Sequence, residues 1–595
     1  MVPSRTEPKE KHLSGVAVSP GIAIGKVFIL NGDVVKVEPY PLRADQVENE
    51  VNKLVQAVAR TRDELQAFRT KTAQRLGEKD AEIFDVHQKL LQDETVLQEI
   101  IHRIRSEKIS ADYLVAETIG KYEASFDNAA DEHFRARATD LRDVKQRLIR
   151  QIQGREESGL EHILGPVVLV ARDLTPSDTI TMDREKILGF ATELGSRTSH
   201  AAILARSLKV PSIVGLADAC SNLSSYDTVI LDGNSGTLII HPTSETLSRY
   251  KRLQRQFARF ESNLARIKKM AARTRDGKDL ELAANIEFYE ELATAQEYGA
   301  DGIGLYRTEY LYLLRDELPT EEEQVEEYSR IVKAMNGLPV TIRTFDIGGD
   351  KAQRFFSILP EANPFLGFRG VRLYARNQAV FLTHIRAILR ASVHGRVRIM
   401  FPMIAGVGEM RYCKSILELA REQLQKEGIP FASDIPIGAM IEVPSAAISA
   451  DAIARESDFL SIGTNDLIQY TLAVDRGNKY VGYLYRNFDP SVLRLVRDII
   501  RHGHEGGVWV GMCGEMASDP FATMVLIGLG LDEFSVSPVS LLMVKEIIRR
   551  VEFDQCKELA REVLAKDNPE TIENYLWDVM NHNFKDLLVC ETSPV

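Results

Sequence analysis

Beyond Thr274 the chain repeats one pattern eight times: a short apolar run, then a helical stretch. The runs are LELAANI, GIGLYRT, PVTIRTFDIG, VRIMFPM, IPIGAMIEVP, DFLSIGTNDL, VWVGMCGEM and EFSVSP. Strands alternating with helices predict a parallel sheet, and eight of them predict a (β/α)8 TIM barrel, a fold of about 250 residues. The runs end in reactive side chains: Asn285, Arg307, Arg343 with Asp346, Glu442, Asn465 with Asp466, and Cys513. Barrel active sites lie at the C-terminal ends of the strands. The polar residues are therefore expected at one mouth, because five or six strands agree rather than because of any single motif.

That set defines a chemistry. Glu442 and Asp466 are oxygen ligands suited to a hard divalent cation such as Mg2+. Arg307 and Arg343, with Arg369 or Arg476, can clamp a phosphate or carboxylate bidentately. Lys351 follows a Gly-Gly-Asp turn and adds positive charge. Cys513 can deliver a proton to carbon. A small dianion held by arginines and a metal, with a thiol as acid, points to an enol phosphate. The plainer alternatives are structural ion pairs for the arginines and an inert buried thiol for the cysteine. That reading is accepted for Cys413, on a polar helical stretch.

The first half differs. From Ala44 to Gly154 apolar residues recur at helical spacing (Leu54, Val58, Leu65 and Phe68; Leu97, Ile100, Ile101 and Ile104; Leu141, Val144, Leu148 and Ile152), and there is no proline between Leu42 and Gly165. This predicts a bundle of four or more amphipathic helices without a catalytic cluster. Its His87 and His102 are expected to be solvated. Short strands flank the bundle, at residues 13–33 and from Pro166 to Pro242, and predict one α/β domain interrupted by the helical insertion. GIAIGK in the first flank lacks the spacing and the Ser or Thr of a nucleotide-binding loop. In the second flank, GSRTSHAAILARSLKVPSIVG reads as turn, helix and strand. His200 falls near a helix start, where free N–H groups favour a phosphoryl group on the imidazole. A capping or hydrogen-bonded structural histidine is the alternative.

Several long motifs then resemble one family, enzyme I of the bacterial phosphoenolpyruvate-dependent sugar phosphotransferase system. They are GSRTSHAAILARSL, DGIGLYRTEYLY, IRTFDIGGDK, EANPFLGFRGVR, SIGTNDLIQYTLAVDRGN and GMCGEMASDP, in that order, within a likeness running from about Leu13 to Phe584. The resemblance implies that His200 is the phosphorylated histidine, modified on Nε2. It implies that Arg307, Arg343, Asn465, Asp466 and Arg476 contact phosphoenolpyruvate, and that Arg369 and Lys351 belong to the same substrate-binding set. Glu442 and Asp466 would hold Mg2+, and Cys513 would protonate enolpyruvate to pyruvate. The helical insertion would dock the phosphocarrier protein HPr, and the barrel would form a homodimer. Val443 stands where the family has Thr, and VGYLYRNFDP departs from its pattern.

The expected organisation is an N-terminal extension (1–12), a swivelling phosphohistidine domain (13–33 and 155–243), and an inserted helical domain (34–154). A linker helix (244–272), the barrel (273–584) and a tail (585–595) follow. A net charge of -12 argues against nucleic acid as a partner. Five cysteines without a CxxC pair and the lack of a membrane-length apolar run or secretory signal favour a cytoplasmic protein. The nearest rival is a pyruvate phosphate dikinase or phosphoenolpyruvate synthase, which shares the swivelling histidine and the barrel but needs an ATP-grasp domain.

Overall fold

The computed structural model describes residues 10–19, 21–30, 37–75, 84, 87–88, 91, 94–127, 132–154, 163, 165–174, 186–195, 210–313, 317–348, 355–356, 359, 361–476, 478 and 480–587. It divides into two compact units, residues 1–258 and 259–595. His200 and Lys351 lie outside the described residues.

The first unit holds an eight-stranded sheet and a group of helices. The strands are β1 (Lys11–Ser14), β2 (Val16–Ser19), β3 (Ile22–Leu30), β4 (Val167–Ala171), β5 (Ile187–Thr192), β6 (Ser212–Val214), β7 (Thr228–Asp232) and β8 (Thr237–Ile240). Their order is β1-β8-β7-β3-β4-β5-β6-β2. The two ends of that order are consecutive in sequence, so the sheet curls until Gly15 alone separates them. A Cβ there would meet the Val214 carbonyl at 2.7 Å, and its N–H donates to the Gly236 carbonyl at 2.9 Å. β1 begins at Lys11, two residues before the start expected for this domain. GIAIGK lies along β3 and its entry, paired with β7 and β4, and forms no phosphate loop.

The helices Val47–Arg75, Glu94–Glu107, Ala111–Asp127 and Glu132–Gln153 bury Leu54, Leu65, Phe68, Ile100, Ile104, Leu141, Val144 and Leu148 in one core. Their apolar stripes account for the bundle. His87 corrects the sequence reading. It is fully buried, edge-on to Phe84, with Asp143 3.6 Å away. Arg147, between Asp143 and Glu64, completes a buried polar cluster. His102 is exposed, as expected.

The second unit is a closed barrel of eight parallel strands. They are β9 (Glu281–Ile286), β10 (Ile303–Arg307), β11 (Val340–Arg343), β12 (Val397–Phe401), β13 (Ile437–Ile441), β14 (Phe459–Ile462), β15 (Trp509–Met512) and β16 (Glu533–Val536). All eight apolar runs are strands. Helices cover the outside and start cleanly. Thr320 and Glu323 form a capping box for Glu321–Ala334, and Asp489, Asp519 and Asn568 cap later helices with Pro in the next position. Inside the barrel, Phe459 stacks on Trp509 at 4.7 Å, with Arg398 over the indole and between Glu281 and Glu533. Cys413 is buried, in keeping with an inert role. No helix among the described residues is long and apolar enough to cross a membrane.

Candidate active site

The last residues of β10 and β11, Arg307 and Arg343, are register partners on adjacent strands. Two guanidiniums side by side repel, and each has its own carboxylate. Arg307 Nη1 donates to Glu287 at 2.6 Å, and Arg343 Nη2 to Glu309 at 2.8 Å. In both arginines Nε is buried and meets no hydrogen-bond partner among the described residues. A buried unsatisfied donor on a charged group is costly, and an acceptor from outside the chain, water or a ligand, would relieve that cost. Burial alone would lower the Arg343 pKa, but Glu309, Asp346 and Glu442 outweigh it and keep the group charged.

Asp346 follows β11. Burial favours its neutral form, yet Arg369 and Arg343 hold its carboxyl below the usual carboxylate range. Arg369 grips it with Nε at 3.2 Å and Nη2 at 2.6 Å, and Arg369 Nη1 lies 3.5 Å from Asp466 and 3.3 Å from the Tyr470 hydroxyl. Arg369 is thus bound to protein carboxylates.

Glu442 follows β13 and is buried, accepting from the Met403 N–H at 2.6 Å. Burial, then Asp466 and Asp346, push its carboxyl up to about 8. Such a crowded carboxylate is suited to a cation. Among the described residues, no group of three or more His, Cys, Asp or Glu side chains is arranged to hold a metal. Two carboxylates are enough for Mg2+, which keeps waters and takes substrate oxygens for the rest of its shell.

The helix Thr464–Leu472 starts at the mouth with Asn465 and Asp466 in its first turn. Asn465 Oδ1 accepts from the Glu515 N–H at 2.9 Å, which fastens this turn to the loop after β15. Arg476 is exposed beyond the helix, with its N–H on Gln469. Cys513 follows β15. Its sulfur accepts from the Ser461 hydroxyl at 3.3 Å and joins Leu305, Met400, Met440 and Phe459 in an apolar floor. Burial pushes the thiol up to about 11, against the lowering pull of Ser461 and Arg343, so it carries its proton at neutral pH. Asn285 donates to the Cys513 carbonyl at 3.0 Å and accepts from Ser535 at 2.6 Å, joining the first, seventh and last strands.

The mouth therefore gathers Asn285, Arg307, Arg343, Asp346, Arg369, Glu442, Asn465, Asp466 and Cys513. Glu287, Glu309, Ser461 and Tyr470 were not singled out by sequence reasoning. Glu309 stands inside a quoted motif, two residues after Arg307, and a search of strand ends alone passes over it. The arrangement offers donors for a small multiply charged anion, two carboxylates for a cation, and a protonated thiol over an apolar floor.

Fold and site define the class as a phosphoenolpyruvate-utilising enzyme, and three family models agree. Residues 261–553 match the PEP-binding domain of PEP-utilising enzymes, 164–236 their mobile domain, and 14–137 their N-terminal domain. The phosphoenolpyruvate-protein phosphotransferase of Geobacillus stearothermophilus is 43% identical over 96% of this chain and 98% of its own length. That of Haemophilus influenzae is 40% identical over 96% and 99%. An NMR solution structure of Enzyme I aligns with 41% of this chain and 99% of its own at 39% identity, with a TM-score of 0.36. The chain belongs to the phosphoenolpyruvate-protein phosphotransferase family.

Proposed function

We propose that this chain moves the phosphoryl group of phosphoenolpyruvate onto Nε2 of His200, releases pyruvate, and passes the phosphoryl group to HPr, the first step of a sugar phosphotransferase system in the cytoplasm. The observation that carries the barrel's part is the pair of buried Nε donors on Arg307 and Arg343, without a partner among the described residues, near a protonated thiol. Arg307, Arg343, Asn465, Asp466 and Arg476 bind and orient the anion, and Arg369 holds the carboxylates around it. Lys351, by its place in the IRTFDIGGDK motif, is assigned to the same substrate-binding set.

Glu442 and Asp466 would hold Mg2+, whose charge neutralises phosphoryl oxygens when it is bound. Charge balance supports this. The guanidiniums of Arg307, Arg343 and Arg369 already pair with the carboxylates of Glu287, Glu309, Asp346 and Asp466. With its cations already matched by carboxylates, the mouth attracts a polyanion best together with a divalent ion. Phosphoryl transfer asks for this positioning and neutralisation more than for covalent help. The bond from phosphorus to the enol oxygen breaks as one forms to the lone pair of neutral His200 Nε2. The carbon end of the enolate then takes the thiol proton of Cys513, over the apolar floor that seats the methylene, and solvent reprotonates the sulfur.

His200 and the mouth belong to different units, so transfer requires that they meet. We assign the hinges to the linker near Ser244 to Ala272 and the chain crossings near Gly154, with closure in microseconds to milliseconds. The helical domain (34–154) docks HPr, and the barrel carries the homodimer contact. The test is pyruvate production from phosphoenolpyruvate and Mg2+ with HPr as acceptor. Turnover that requires HPr supports the proposal. Turnover that requires ATP instead favours the dikinase-like reading.

A further inference from the structure

We propose that Glu309 is a positioning residue that sets the spacing between two of the site arginines. One oxygen, Glu309 Oε1, accepts from Arg343 Nη2 at 2.8 Å and from the Asp346 backbone N–H at 2.7 Å. The first bond fixes a guanidinium. The second fixes the backbone of the residue whose carboxylate holds Arg369. The neighbouring Thr308 hydroxyl donates to the Arg343 carbonyl at 2.9 Å, so the exit of β10 is fastened to the exit of β11 at three points.

Glu309 can act as a fixed reference because the helix that follows it, Tyr310–Leu313, is pinned from behind. The Tyr310 hydroxyl bonds Glu327. The Tyr312 hydroxyl reaches Gln324 at 3.2 Å, and its ring packs on Phe345 at 4.7 Å. His384 Nδ1, 2.8 Å from Gln324 Oε1, closes this layer. Burial lowers the imidazole pKa to about 3, so the layer carries a neutral histidine and does not loosen at working pH. Packed in this way, the carboxylate occupies Arg343 Nη2 and leaves Nε without an acceptor among the described residues. Glu309 thereby decides which edge of the guanidinium is offered to the substrate.

This inference rests on Arg343 contacting phosphoenolpyruvate, and a double-mutant cycle separates the two ideas. Glu309→Gln, Glu309→Asp, Arg343→Gln and Glu309→Gln with Arg343→Gln are compared. The readouts are KM and kcat for phosphoenolpyruvate, the Kd of phosphonopyruvate with Mg2+, and thermal unfolding. Glu309→Gln keeps the side-chain volume and an acceptor but loses the charge. We expect its KM and phosphonopyruvate Kd to rise roughly tenfold or more, the range of a lost charged hydrogen bond, with a melting temperature near that of the unmodified chain. In the Arg343→Gln background the same change should add little, because coupled residues are non-additive. Wild-type KM and Kd in both Glu309 variants, or effects that multiply in the double variant, would overturn the positioning role. Wild-type binding in Arg343→Gln would overturn the contact itself, and the positioning role with it.

Discussion

Gly514 offers a severe test of how the mouth is built. Its φ of −73° suits any residue, so the demand for glycine is one of space. A Cβ there would lie 1.8 Å from Thr464 Oγ1, 2.6 Å from the Thr464 nitrogen and 2.8 Å from its Cβ. Turning the hydroxyl away relieves the first contact and not the second. Ordinary contact begins at 3.4 Å, so about 0.8 Å must open between the loop after β15 and the start of the helix Thr464–Leu472. Asn465 and Asp466 ride on that helix, and Cys513 is the neighbour of Gly514. A misplacement of about 1 Å costs on the order of 100-fold in rate, or ~2.7 kcal/mol in the barrier. Overpacking itself costs about 1–3 kcal/mol of stability.

Gly528→Ala is the matched control. Its Cβ would meet the Cys556 carbonyl oxygen at 1.9 Å, between the helices Pro520–Leu529 and Phe553–Leu564, among residues that take no part in the site. Both variants should melt lower. Only Gly514→Ala should lose about two orders of magnitude in kcat/KM for phosphoenolpyruvate, followed by pyruvate release at a temperature where both are folded. Equal kcat/KM in the two variants would refute the argument that backbone contact between these segments sets the geometry.

Other outcomes follow from the same contacts. Cys513→Ala should cut pyruvate formation by about 10²–10⁴, the usual share of a general acid, while phosphonopyruvate titration shows binding retained. Because the thiol sits at about 11, wild-type activity should not fall between pH 7 and 9 through thiol ionisation. Arg398→Met should destabilise the barrel by about 3–5 kcal/mol in urea melts. Burial and Glu281 raise the Glu533 carboxyl to about 8, against the pull of Arg398. A carboxyl raised on folding stabilises the native state fully below its unfolded pKa, and that contribution is lost as pH rises through 8. The deficit of Arg398→Met should therefore be larger at pH 9 than at pH 6.

The barrel was readable because its strands are covered on both faces and appear as short apolar runs between turn residues. The reactive residues were readable because the fold collects strand ends. Pairings between elements were not. The bond from Arg343 to Glu309 depends on the register of β10 and β11, which no local pattern records. His87 looked solvated because its partner Asp143 lies on another helix, far along the chain. β1, with the polar sequence KHLS, begins inside the segment read as an N-terminal extension, and its pairing with β8 is recorded by no local pattern.

The proposal requires His200 to carry the phosphoryl group that the barrel releases. The direct measurement is the position of the label after brief incubation with phosphoenolpyruvate labelled in its phosphoryl group, together with Mg2+. Acid-labile label is expected on His200, about one per chain, lost to HPr on its addition and absent from His200→Ala. Label retained by His200→Ala, or found on another residue of the unmodified chain, would contradict it.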